Sequence, residues 1–253
     1  MIKSDDAPIP AATLVLMRPA ASGPPEILMT ERAATMAFAA GALVFPGGRI
    51  DPDDHLLAER IGNEIDHAAA RIAAIRETIE ETGIAPALRT GLEPALIARL
   101  RRELDDGAPF SALLDTHRVQ LDLAALTPFA RWCPNFKEAR RFDTLFFLAE
   151  APPAAAPASA AHAEAVRAFW ASAAEVLDDI AADRARAIFP TRRNLERLAR
   201  FASLDEARAD AVRHPVRKVI PWIEERDGGP WLRIPDDLGY PVTAEPLETA
   251  RRF

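Results

Sequence analysis

Glu77, Glu80 and Glu81 stand three and four residues apart in RETIEETGI, the stretch from Arg76 to Ile84. On a helix that spacing puts the three carboxylates on one face. Like charges so placed repel by about 0.2–0.5 kcal/mol per pair. Gly83 reads as the end of the helix, so Glu80 and Glu81 also meet the negative pole of its dipole. No Lys or Arg lies between positions 77 and 84 to offset either cost. A divalent cation held among the three would turn repulsion into attraction. Oxygen-rich sites of this kind suit Mg²⁺ or Mn²⁺, which keep waters and take up substrate phosphates. The bland alternative is a solvated acidic helix face.

Such a helix has to be anchored. The periodicity predicts it over 68–82, with Ile72, Ile75 and Ile79 at i, i+3 and i+7 on the side opposite the glutamates. Just upstream, GALVFPGG (Gly41–Gly48) reads as a short buried strand running into a double-glycine loop. Leu56, Leu57, Ile61 and Ile65 give residues 53–68 a helical pattern, and 92–125 reads as two or three short helices. TLVLM and EILMTE flank a Gly/Pro-rich turn and predict a β-hairpin. LTPFARW, RFDTLFFLAE and AVRAFW are strand-like, the second rich enough in aromatics to be central. SAAEVLDDIAAD and FPTRRNLERLARF predict helices, and VIPWIEERDGGPWLRI a hairpin turning at DGG, with Trp222 and Trp231 facing each other. APPAAAPASAAHA (Ala151–Ala163) reads as an exposed flexible loop. Elements mixed in this irregular order give α/β (α+β) with a mixed β-sheet sandwiched between helices. Residues 1–204 form the expected domain, with helical insertions at about 55–68 and 92–125. The C-terminal extension 205–253, carrying the hairpin, packs on the same domain.

At 253 residues and 49% hydrophobic, the chain has enough apolar surface for one sizeable core. A net charge of −7 argues against nucleic acid or an anionic membrane as partner. The lone Cys133 excludes an internal disulfide and fits a reducing compartment. No targeting or spanning segment is evident, so the expectation is a soluble, cytoplasmic protein. The five histidines are scattered without ligand spacing, which speaks against zinc. Cys133 reads as a buried hydrophobe, and Phe142, Phe146 and Phe147 as core.

FPGG (Phe45–Gly48) followed by AAIRETIEETGI resembles the Nudix box of the Nudix hydrolases. Arg76, Glu77, Glu80, Glu81, Gly83 and Ile84 match its second half residue by residue, while Thr78 sits where an aliphatic residue is commoner. Asp54 follows Gly48 where the family usually has Glu. The spacer 55–75 holds 21 residues where the pattern has seven, which detaches Asp54 from its usual place. The resemblance implies the Nudix fold, with Glu80 and Glu81 as principal metal ligands and Glu77 as a ligand or supporting acid. It further implies that Arg76 orients the carboxylates, that Gly47–Gly48 offers backbone oxygen to Mg²⁺ or Mn²⁺, and that the reaction is hydrolysis of a nucleoside diphosphate linked to another moiety.

LMTERAATMAFAAGALVFPGG (Leu28–Gly48) is similar to the additional signature of coenzyme A diphosphatases: Leu28, Thr30, Arg32, Ala33, Gly41 and Phe45–Gly48 match in register. Met29 replaces a Leu, and Ala37 stands where a second Arg belongs. In outline the chain most resembles the peroxisomal-type branch and its bacterial relatives, from about Leu14 to Leu204. The implied substrate is coenzyme A or acyl-CoA, giving 3′,5′-ADP and 4′-phosphopantetheine, with Arg32 as a substrate cation. ADP-ribose or NADH is the alternative substrate class, and a non-catalytic binding module the third reading. Retention of all three glutamates speaks against that last one. Glu164 is either a further acid, acting as general base or ligand, or a surface glutamate. Arg140 and Arg141 either clamp a phosphate or serve structural ion pairs. Beyond the small nucleotide, a second copy of the chain is left open as a partner.

Overall fold

Leu14, Val15, Leu16 and Met17 are all buried. An apolar run without alternation is what a strand covered on both faces requires. This strand, β1 (Ile9–Arg18), sits near the middle of an eight-stranded mixed sheet. The computed structural model describes residues 7–33, 40–62, 64–89, 91–134, 141–153 and 165–250. β6 (Phe142–Glu150) runs parallel to β1 along its length, and β5 (Thr127–Trp132) lies antiparallel beyond it, followed by the short parallel β8 (Lys218–Val219). On the other side β2 (Glu26–Arg32) pairs with β1 at Met17–Ile27 and Arg18–Glu26. Further along, the segment 43–49 pairs with both strands, β3 (Leu43–Val44) with β2 and β4 (Gly47–Arg49) with β1. Pro46, between β3 and β4, has no N–H to place but accepts from Leu14 N at 2.9 Å. β7 (Ala165–Ser172) completes the sheet against β2. The glycine pair is therefore in a strand, where the sequence suggests a loop.

α2 (Ala68–Thr82), with the bounds the periodicity predicts, lies over one face. Ile72, Ile75 and Ile79 pack there against Leu14, Leu16, Leu28 and Phe147. The far side of α2 is not open to water: Arg76, Thr78, Glu81 and Thr82 are buried as well. The inserted helices α1 (Pro52–Ile61), α3 (Pro94–Asp105) and α4 (Phe110–His117) contribute Leu57, Leu100, Leu104, Phe110, Leu113 and Leu114 to the same cluster. α1 is shorter than the pattern over 53–68 suggests, because Asp51 caps it, Pro52 opens it and Gly62 ends it. Only Leu57 of its apolar stripe is buried; Leu56 is 58% and Ile61 46% exposed.

The opposite face carries α5 (Ala173–Ala181), α6 (Phe189–Leu198) and α7 (Leu204–Arg213). Leu232, Ile234, Leu238 and Tyr240 from the C-terminal stretch join Phe129, Trp132 and Leu195 in its core. That stretch also holds a three-stranded antiparallel sheet of β9 (Trp222–Arg226), β10 (Gly229–Arg233) and β11 (Ala244–Pro246), then α8 (Leu247–Ala250). In its register Trp222 stands opposite Arg233 and Trp231 opposite Glu224, so the two indoles do not face each other. Each is instead covered by an arginine, Arg233 over Trp222 and Arg226 over Trp231. Cys133, Phe146 and Phe147 are buried. The Pro/Ala segment lies mostly outside the described residues. Among those described, no helix is long and apolar enough to cross a membrane.

Candidate active site

Arg76 is the centre of the site. Its Nε donates to Asp54 Oδ1 at 3.1 Å and its Nη2 to Asp54 Oδ2 at 2.9 Å, a two-pronged pair. Nη2 also reaches Arg49 O at 3.0 Å, and Nη1 reaches Glu77 Oε1 at 2.9 Å and Glu80 Oε2 at 3.4 Å. Asp51 stands 3.5 Å from the same guanidinium. Burial works against the charge on Arg76, but Asp54, Glu77 and Asp51 outweigh it and hold its pKa above the ordinary value. Asp54 is fully buried, so its carboxyl is pushed upward by desolvation, opposed by Arg76. It also accepts from Asp51 N at 2.8 Å, closing the first turn of α1. The long spacer thus leaves Asp54 in contact with the box arginine. The extra residues continue α1, in whose first turn Asp54 stands, and return to the start of α2.

Glu77 and Glu81 face the glycine strand. Gly47 N donates to Glu81 Oε2 at 3.3 Å. A methyl group at Gly48 would fall onto the Glu77 carboxylate, and one at Gly47 onto Ala12 O and Thr13. Both positions need glycine because the backbone approaches so closely. Burial pushes Glu77 up to about 7, opposed by Arg76 and reinforced by Glu80. Thr78, where an aliphatic residue is commoner, is fully buried yet satisfied, its Oγ1 donating to Ala74 O at 2.7 Å.

The donor set fits a hard divalent cation: carboxylate oxygens, half-buried or buried, beside a strand stripped of side chains so that they have room. Among the described residues, however, no group of three or more His, Cys, Asp or Glu is gathered as a ready metal centre. Glu77 and Glu80 accept from Arg76, and Glu81 accepts from Gly47 N.

Of the other candidates, Arg32 closes β2, its N–H donating to Ala42 O at 3.0 Å and its carbonyl accepting from Gly41 N at 3.1 Å. Leu28, Thr30 and Phe45 of the same signature are buried in the sheet, Phe45 edge-on to Phe146. Arg141 opens β6, where its carbonyl accepts from Ile9 N at 2.8 Å. Arg140, Glu164 and Ala37 lie outside the described residues. Sequence reasoning missed the Arg76–Asp51 approach, the Arg49 carbonyl and Arg101 of α3, which donates to Glu80 O at 3.0 Å and Glu81 O at 3.1 Å. For Asp54 the signal was its distance from Gly48; for Arg101 the sequence carries none.

A buried acidic helix locked by one arginine against a glycine strand, in a mixed sheet between helices, is the arrangement of a Nudix enzyme. No family model matches the chain. A solved Nudix hydrolase from Alicyclobacillus acidocaldarius is 31% identical, with a TM-score of 0.70 covering 80% of this chain and 96% of that one. The chain belongs to the Nudix hydrolase family. It is also 31% identical over 174 residues to human acyl-coenzyme A diphosphatase NUDT19, across 62% of this chain and 45% of that protein. It thus spans about half the length of that curated relative.

Proposed function

We propose that the protein hydrolyses a diphosphate bond in a nucleoside diphosphate linked to a second moiety, with Mg²⁺ or Mn²⁺, and that its substrate is coenzyme A or an acyl-CoA. The observation that carries the reading is the approach of the Glu77 and Glu81 carboxylates to the Gly47–Gly48 strand while Arg76 fixes the helix that bears them. Nudix hydrolases generally use divalent metals, and Glu77, Glu80, Glu81 and backbone oxygen at Gly48 are the groups that would hold one. When bound, such an ion neutralises the diphosphate and lowers the pKa of water.

The chain's own residues do the rest. Arg76 holds the Glu77 and Glu80 carboxylates in place before any ligand arrives. Burial keeps that face at low dielectric, where the attraction of its carboxylates for a divalent cation is strengthened. Water adds across the anhydride, one phosphate taking the hydroxyl and the other the proton, to give 3′,5′-ADP and 4′-phosphopantetheine or its acylated form. The likeness to the human acyl-coenzyme A diphosphatase and the matched positions around Arg32 support this choice of substrate. Glu164, Arg140 and Arg141 remain candidates as general base and phosphate clamp.

The test is a substrate panel in Mg²⁺ and in Mn²⁺, with products weighed by mass spectrometry. Coenzyme A thioesters should be cleaved faster than ADP-ribose or NADH, and Arg32→Ala should lower kcat/KM for the thioester about tenfold or more while sparing ADP-ribose. Equal loss on both would mean that the Arg32 side chain only holds the fold. Faster turnover of ADP-ribose than of any coenzyme A species would move the protein to the other pyrophosphatase class.

A further inference from the structure

The last turn of α2 poses a capping problem that Arg101 answers. A helix leaves its final carbonyls without intrahelical partners, and their dipoles repel the acids placed there. Gly83, left-handed at φ 68°, returns its N–H to Ile79 O at 2.8 Å. Thr82 Oγ1 donates to Thr78 O at 2.6 Å. Among the carbonyls that remain are Glu80 O and Glu81 O, those of the two principal ligand candidates. Arg101 takes both, Nε to the first at 3.0 Å and Nη2 to the second at 3.1 Å. Any side chain at position 83 would crowd the Arg101 guanidinium, 3.3 Å from where a Cβ would stand, so the glycine both turns the chain and admits the arginine. Arg101 is held in turn, because its neighbours Leu100 and Leu104 anchor α3 in the core beneath.

We propose that Arg101 is a positioning residue of the active site: by gripping the backbone of Glu80 and Glu81 it fixes where their carboxylates point. This rests on the metal-binding reading of that face. The insertion 92–125 is then part of the catalytic apparatus rather than an appendage. A fixed positive charge at this end of α2 also offsets the dipole that would otherwise disfavour two acids there.

The competing account is that Arg101 merely bolts α3 to α2. Metal affinity of the substrate-free protein separates the two. Mn²⁺ binding, followed by electron paramagnetic resonance without substrate, should weaken about tenfold in Arg101→Met, the size seen when supporting partners of metal ligands are removed. kcat should fall with it while KM changes less than about twofold. Arg101→Lys, which keeps the charge but cannot grip both carbonyls in the same fork, should recover only part of the Mn²⁺ affinity. If Arg101→Met does not fold, Arg101→Lys decides: affinity measurably below wild type at unchanged melting temperature supports the proposal, and wild-type affinity overturns it. A folded Arg101→Met that melts lower but binds Mn²⁺ as wild type does would overturn it too. Should the wild type itself bind no Mn²⁺, or Glu81→Gln bind it equally well, the metal reading fails first and this proposal with it.

Discussion

Arg76 and Arg197 are both buried arginines gripped by an aspartate, on opposite faces of one sheet, and their surroundings diverge. Arg197 meets Asp210 at 2.8 Å, with both side chains 2% exposed, and donates to Phe129 O at 3.1 Å. Arg193 beside it pairs with Glu196 at 2.6 Å, and Arg192 stands 3.4 Å from Glu245. There each cation has its acid, and the cluster joins α6 to α7 and to the C-terminal sheet. Around Arg76 the balance is broken: Asp51, Asp54, Glu77 and Glu80 crowd a single guanidinium, with Glu81 turned away to the glycine strand. A buried cluster in balance stabilises, or at least specifies, packing. One with surplus carboxylate suits a cation, and it is there that the proposed metal would be held.

The comparison breaks most readily at Glu81. Glu81→Gln should lower kcat about 100- to 1000-fold, the scale of losing one preorganised electrostatic contact. The melting temperature of the metal-free protein should stay flat or rise, since a repulsive acid leaves a helix C-terminus. Near-wild-type turnover with metal added would remove the surplus-charge argument altogether.

The opposite result is expected across the sheet. Asp210→Asn leaves a buried guanidinium without its counter-charge and should destabilise by about 3–5 kcal/mol. At about 2–4 °C per kcal/mol for a chain of this size, that is a drop on the order of 10 °C, read by calorimetry. The folded fraction should keep wild-type kcat and Mn²⁺ affinity. A selective fall in kcat there would mean that the two clusters communicate.

The smallest effect sharpens the boundary of the site's scaffold. Leu56→Gln lies on the exposed side of α1 and should shift stability by no more than about 0.5 kcal/mol, with activity unchanged. A larger loss in chemical denaturation would show that Leu56 is covered in solution, by another copy of the chain or by residues beyond those described.

The acidic helix was legible because its signals are local. Ile72, Ile75 and Ile79 set its phase, Gly83 its end and the clustered glutamates its chemistry, all within one continuous stretch. The hairpin of β1 and β2, the central β6 and the helices of 92–125 were readable for the same reason: alternation, turn residues and period are properties of neighbours. The stripe of α1 misled, because Leu56 and Ile61 fit a helical period yet stay exposed among the described residues. What tertiary structure alone decided are the meetings across distance. Asp54 reaches Arg76 from the first turn of an inserted helix, Gly47 and Gly48 become a strand paired with β1, and Arg101 crosses from α3 to finish α2. No period or cap announces such contacts. They depend on which faces bury against which, and that is settled only when the whole core closes.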